Sequence, residues 1–209
     1  MKKLLVFIVV VGVLLVAVDA WARGKVAWRL ASGLQDSLGS TGEIEVSLGG
    51  FPFVLGALSG NIPEATVATD RLTREGRLRF TDVTMMLQDI RFSLSKVLAG
   101  DLDTIKVGSG EGRAAIESDS LTRAIARSRG EIGVLIVGDE IRVTAAGRSG
   151  VAEVSLTRNR LMLNVEELGQ GFIVPLPRVV AGIQYESVEM VDSRLELGFS
   201  LDDIRLTGL

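Results

Sequence analysis

The chain has 209 residues, 47% hydrophobic and 5% aromatic, with 23 Lys+Arg against 26 Asp+Glu for a formal charge of −3. It contains no histidine and no cysteine. That excludes Cys/His zinc sites, thiol nucleophiles, disulfide staples, histidine-based acid–base catalysis and an ordinary Ser-His-Asp triad. The mild acidity, without any Lys/Arg run, also argues against nucleic acid as a partner, which requires a concentrated basic surface. What remains is a binding or structural protein, or an enzyme restricted to Asp, Glu, Lys, Ser or the single tyrosine, Tyr185.

Lys2 and Lys3 precede Leu4 to Val18, an uncharged run of fifteen residues ended by Asp19. Residues 1–22 read as an export signal, with small residues at cleavage spacing around Ala20 and Ala22. They also read as an uncleaved anchor, since continuing through Trp21 approaches the roughly 20 residues of a bilayer span. A buried core helix is the third reading. The first two place the body, residues 23–209, outside the cytoplasm, in the cell envelope.

Residues 24–39 carry Val26, Leu30, Leu34 and Leu38 at helical spacing, with Gly39 as a stop. Beyond them the pattern turns to strands. Ile44, Val46 and Leu48 alternate, as do Leu78 and Phe80, then Val83, Met85 and Leu87, with a change of phase at Thr81-Asp82 that predicts a β-bulge. A helix is expected over 120–129, its arginines placed where the helix dipole favours cations. Alternating runs at 132–136, 141–145, 154–156, 161–165 and 195–201, separated by Gly138-Asp139, Gly147 to Gly150 and Arg158-Asn159, predict an antiparallel meander in the second half. Three segments, ending in Gly60, Gly100 and Gly182, share an apolar helical turn closed by glycine ahead of a strand.

Gly49-Gly50-Phe51-Pro52-Phe53 concentrates two of the seven phenylalanines around a proline between a strand and a short apolar helix. In so aromatic-poor a chain the pair must either plug a core or meet something apolar outside. Val174-Pro175-Leu176-Pro177 is a second proline-set stretch, read as the opening of a helix.

The run Gly50 to Leu55, then Leu58-Ser59-Gly60, Phe80-Thr81-Asp82-Val83 and Asp89-Ile90, resembles the LmeA family of actinobacterial phospholipid-binding proteins. Pro175-Leu176-Pro177, Gly182 and Tyr185 to Val188 match its C-terminal part, so the resemblance covers about residues 25–209. It implies an exported, envelope-associated protein that holds phospholipid in an apolar groove. It also implies an α+β fold like the tubular lipid-binding proteins, in which a curved antiparallel sheet packs on one or more helices after the N-terminal segment. No catalytic residues and no cofactor transfer with it.

The residues fit that reading. Twenty-four glycines exceed the average of about 7%, and strand glycines and bulges are how sheets curve. The groove or its rim is assigned to Phe51, Pro52, Phe53, Leu55, Leu58, Met85 and Leu176. Arg71, Arg74 and Arg178 are the headgroup candidates, with Arg77, Arg79, Arg158 and Arg160 as further basic positions. The expected partner is phospholipid or a membrane surface. The alternative is a non-catalytic module that supports envelope enzymes through a sheet edge or the Phe-Pro-Phe loop. Catalysis is disfavoured, because the acidic pairs Asp101/Asp103 and Glu166/Glu167 read as surface charge.

Overall fold

A computed structural model of the chain describes residues 2–38, 42–74, 78–99, 105–129, 132–177 and 182–205. Helix α1 (Lys2–Leu38) is continuous. The N-terminal apolar run and the amphipathic stretch, expected as separate segments, form one rod because no proline intervenes and the charge of Asp19 is taken up by partners described below. Among the described residues no helix is long and apolar enough to cross a membrane.

The order continues with β1 (Ile44–Leu48), α2 (Phe53–Ser59), β2 (Asn61–Arg74), β3 (Leu78–Arg91), α3 (Leu94–Leu98), β4 (Lys106–Ile116), α4 (Ser118–Arg129), β5 (Ile132–Val137), β6 (Glu140–Ala145), β7 (Arg148–Thr157), β8 (Arg160–Val165), β9 (Gln170–Pro175), β10 (Ile183–Val191) and β11 (Arg194–Arg205). Two antiparallel sheets result, one of six strands in the order β1-β2-β3-β4-β11-β10 and one of five in the order β5-β6-β7-β8-β9. The class is α+β and neither sheet closes into a barrel. The second sheet is the expected meander from the 132–136 run to the 161–165 run, joined by β9, whereas the 195–201 run, expected in it, lies in β11 of the six-stranded sheet between β4 and β10.

The helix expected to follow Pro175-Leu176-Pro177 falls on residues outside the described ones. Pro175 closes strand β9, an edge strand where a missing N–H costs nothing, and Leu176 donates its N–H to Asn159 O at 2.9 Å. Residues 178–181 lie outside the described ones. Of the three glycine-closed turns, Gly60 caps α2 with φ +72°. Gly182 has φ +95°, and Gly100 is outside the described residues.

Helix α4 joins the two sheets through its hydroxyls. Strand β5 pairs only with β6, and its outer edge is satisfied by side chains: Val134 N–H donates to Thr122 Oγ1 at 2.9 Å and Ile136 N–H to Ser118 Oγ at 2.9 Å. Ser120 Oγ does the same for Arg79 of β3, accepting from its N–H at 2.7 Å and donating to its carbonyl at 2.9 Å. A sheet edge bonded in this way has no free ladder to offer another chain. Leu121 and Ile125 enter the single apolar core that runs through both sheets.

Candidate functional site

The inner face of the six-stranded sheet is the feature that sets this fold apart from a packed sandwich. Over part of that face the side chains meet α1. Val26, Leu30 and Leu34, one stripe of that helix, lie over an apolar trough made of two adjoining chambers. The first, about 90 Å³, is floored by Leu72 of β2, Phe80 and Met85 of β3, Ala114 of β4, Phe199 of β11 and Tyr185 of β10. The second, about 50 Å³, lies between β1, β2, β3 and α3, with Leu48, Ile62, Phe92 and Val97 in its wall. Leu34, Val67, Leu87 and Val107 line both, so the chambers are one space partly divided by side chains. Roughly 10–15 Å³ of such space holds one water, and the near absence of polar groups in the lining leaves water without partners.

Strand irregularities aim the lining. Phe80 and Val83 are three residues apart and would face opposite ways on a regular strand. The register shifts between Thr81 and Thr84, with Asp82 at φ +49°, so both point inward. The bulge expected from the sequence is therefore present, and Asp82 is held from outside by Arg194. Asp203, at φ +42°, turns Ile204 inward after Leu201 while the register with β4 is kept, and a second register shift lies between Tyr185 and Ser187. Bulges bend and twist the strand that carries them, which makes this face concave.

Tyr185 packs edge-on to Phe199, with centroids 6.0 Å apart, and donates its hydroxyl to Pro177 O at 2.8 Å. Burial pushes its phenol well above the usual tyrosine value. Thr69, the other polar residue of the lining, keeps its Oγ1 within 3.4 Å of both the N–H and the carbonyl of Arg71. Among the described residues no cluster of acidic side chains is placed to hold a metal.

At one end of the trough α1 passes the Phe-Pro-Phe loop. Asp19, buried within the helix face, accepts the N–H of Val54 at 2.8 Å and an Arg23 N–H at 3.2 Å. The Arg23 guanidinium also donates to Gly50 O at 2.7 Å and stands 5.8 Å from the Phe53 ring centroid. Pro52 precedes α2 with no side-chain cap of its own, so Asp19 supplies from another helix the anion that the first turn of α2 lacks. Its carboxyl is held below the ordinary range, first by the Val54 N–H.

The sequence-predicted residues divide. Met85 lines the trough. Phe53 is in the core at 2% exposure and Leu176 is also buried there, neither of them on the lining. Phe51 is 72% exposed and stands with Leu55 and Leu58 on the outer face of α2, and Pro52 is exposed beside them. Phe53 thus plugs the core, and Phe51 points outward. Arg71 is exposed on β2, Arg74 ends that strand, Arg79 is partly buried, and Arg158 and Arg160 flank an exposed turn. Arg77 and Arg178 lie outside the described residues. Sequence reading missed Asp19 and Arg23, whose only signal was an acid at the end of an apolar run with an arginine four residues on.

The family comparison bears directly on this trough. The family described as LmeA-like phospholipid-binding matches residues 17–208, almost the whole chain and the whole of the trough. This chain belongs to the LmeA-like phospholipid-binding family. Comparison with curated proteins and with solved structures gives no match. The trough is lined almost wholly by apolar side chains. The match starts at residue 17, so it takes in Asp19 and the part of α1 that covers the trough.

Proposed function

We propose that this LmeA-like protein binds phospholipid by holding acyl chains in the trough beneath α1, and that it does so without catalysis. The observation that carries the reading is the single apolar space shared by Leu34, Val67, Leu87 and Val107. Each buried methylene contributes about 0.8 kcal/mol, so a tail needs no polar recognition to be retained. The chambers are smaller than the roughly 300–1,000 Å³ of sites that enclose a whole ligand, because Val26, Leu30 and Leu34 occupy the remaining width. A full tail therefore takes the place of part of α1, whose contacts here are apolar and non-directional.

The apolar N-terminal run supports a place at the outer face of a membrane, in the cell envelope. From there, carriage of lipid between membranes is the natural extension of holding it. Native mass spectrometry of protein purified from cells tests the reading: phospholipid should be retained by the wild type and lost from Leu87→Trp, which fills the shared part of the trough. Lipid-free wild-type protein would count against it.

A second reading, a module that docks on envelope proteins, is favoured by one observation. The outer face of the five-stranded sheet exposes Leu135, Val151, Met162 and Ile173. A protein partner recovered after delipidation, and lost in Ile173→Lys, would support that role.

A further inference from the structure

The trough has two ends, and they differ in chemistry. At the end where α2 sits, Phe51, Leu55 and Leu58 form an exposed apolar ridge, 72%, 64% and 68% accessible. Strands β3, β4 and β11 reach the same end with Arg91 beside Lys106 and Lys106 beside Arg205, three exposed cations on adjacent strands. Their inward-facing neighbours Ile90, Val107 and Ile204 line the trough. Among the described residues of β3, β4 and β11 these cations are the charges nearest this end, with Asp89, Asp202 and Asp203 two or three residues farther in, in a protein whose net charge is −3. Helix α1 leaves the body here as well. Asp19 is bonded to the start of α2, and the uncharged Leu4 to Val18 run extends about 22 Å beyond it at helical rise. Val13, Leu15, Val16 and Val18 in that run are exposed on different sides of the helix, as expected for a segment whose solvent is not water.

We infer that this end is a docking face for an anionic bilayer. The α2 ridge sits among the acyl chains, the Arg91–Lys106–Arg205 row meets headgroup phosphates, and the N-terminal part of α1 dips in beside them. The occupant follows from the combination: an apolar ridge alone suits many partners, whereas a ridge flanked by cations and by a helix apolar on all sides matches a layer of lipid with charged heads. The orientation deepens the lipid-binding reading and rests on it in one respect. The smaller chamber, walled by Phe92 and Val97, lies at the docked end, so a tail passes from the bilayer into the trough between α2 and α3 without crossing water.

The absence of cysteine makes the test direct. In the full chain, Leu58→Cys and, at the opposite end, Asp139→Cys each carry one environment-sensitive fluorophore. They are mixed with vesicles of brominated phosphatidylcholine, with and without phosphatidylglycerol. The label at position 58 should shift to the blue and be quenched by bromine, while the label at 139 stays in water. The triple change Arg91→Gln, Lys106→Gln and Arg205→Gln should remove the preference for phosphatidylglycerol vesicles, at about fivefold in affinity per cation. An unquenched label at 58, equal quenching at 139, or an unaltered lipid preference in the triple variant would overturn the docking face. Uptake of a monomeric fluorescent fatty acid in the absence of vesicles separates this from the trough itself. If uptake fails while position 58 is quenched, the docking face stands and the acyl-chain reading falls.

Discussion

The carboxylate of Asp19, inside a helix that begins at Lys2, accepts the backbone N–H of Val54 at 2.8 Å and so fixes α1 to the start of α2. This bond decides where the lid of the trough is pinned. Asp19→Ala should lower the thermal midpoint and speed hydrogen exchange at the Val54 amide, while the β-sheet amides keep their protection. Because the folded-state pKa is depressed, the stabilisation is complete above the ordinary carboxylate value, near 3.9. It is lost as pH falls through the lower folded value. The wild type should therefore converge on Asp19→Asn only in strong acid, which paired melts across a pH series will show.

The trough predicts opposite signs for two substitutions. Leu34→Ala should enlarge the shared space and raise lipid retention, at a cost below the roughly 2–5 kcal/mol of a fully buried leucine because Leu34 is only partly buried. Ala114→Leu, in the floor of the first chamber, should lower retention and cost about 1–3 kcal/mol as overpacking. Lipid per protein by mass spectrometry, read beside urea midpoints, checks both.

Glycine at position 112 has a specific job. A Cβ there would stand 2.5 Å from Phe199 Cζ and 2.6 Å from the Thr84 carbonyl oxygen, and the latter is backbone that cannot swing aside. Gly112→Ala should destabilise by about 1–3 kcal/mol and push Phe199 into the trough. Gly133→Ala, with nothing within 4 Å of the added atom, should be neutral or stabilising by roughly 0.5–1 kcal/mol. Chemical denaturation of the two variants gives the contrast.

Tyr185 is the only tyrosine, so its ionisation can be followed alone by ultraviolet absorbance. Burial raises its pKa, so the folded phenol should stay protonated past the ordinary value of about 10. The stability linked to it is complete below that value and is lost as pH rises through the folded one. Tyrosinate should therefore appear together with alkaline unfolding and not before it.

Much of this architecture was legible in side-chain alternation. The meander from β5 to β9 was visible because each strand has one wet and one apolar face, and the Asp82 bulge because the phase of apolar residues breaks there. The Val26, Leu30, Leu34 stripe likewise announced the helix that lies over the trough. Strand β4 was harder: Gly108, Gly110 and Gly112 carry no side chain to alternate, and only the neighbours they admit explain them. The Asp19–Val54 bond was invisible, since a cap supplied by a residue 35 positions away leaves no local pattern. The Phe51/Phe53 pair was noticed but could not be divided, because which ring faces inward depends on where α1 passes.

The six-stranded sheet ends in β1 on one side and β10 on the other, and these strands do not pair with each other. A closed cylinder has its radius fixed by its strand count, whereas an unsealed one can open along the seam by a small change of twist. On the lipid-binding reading proposed above, this open seam leads us to expect retention of tails of different length or unsaturation to similar extents, which mass spectrometry of protein loaded from mixed lipid will show.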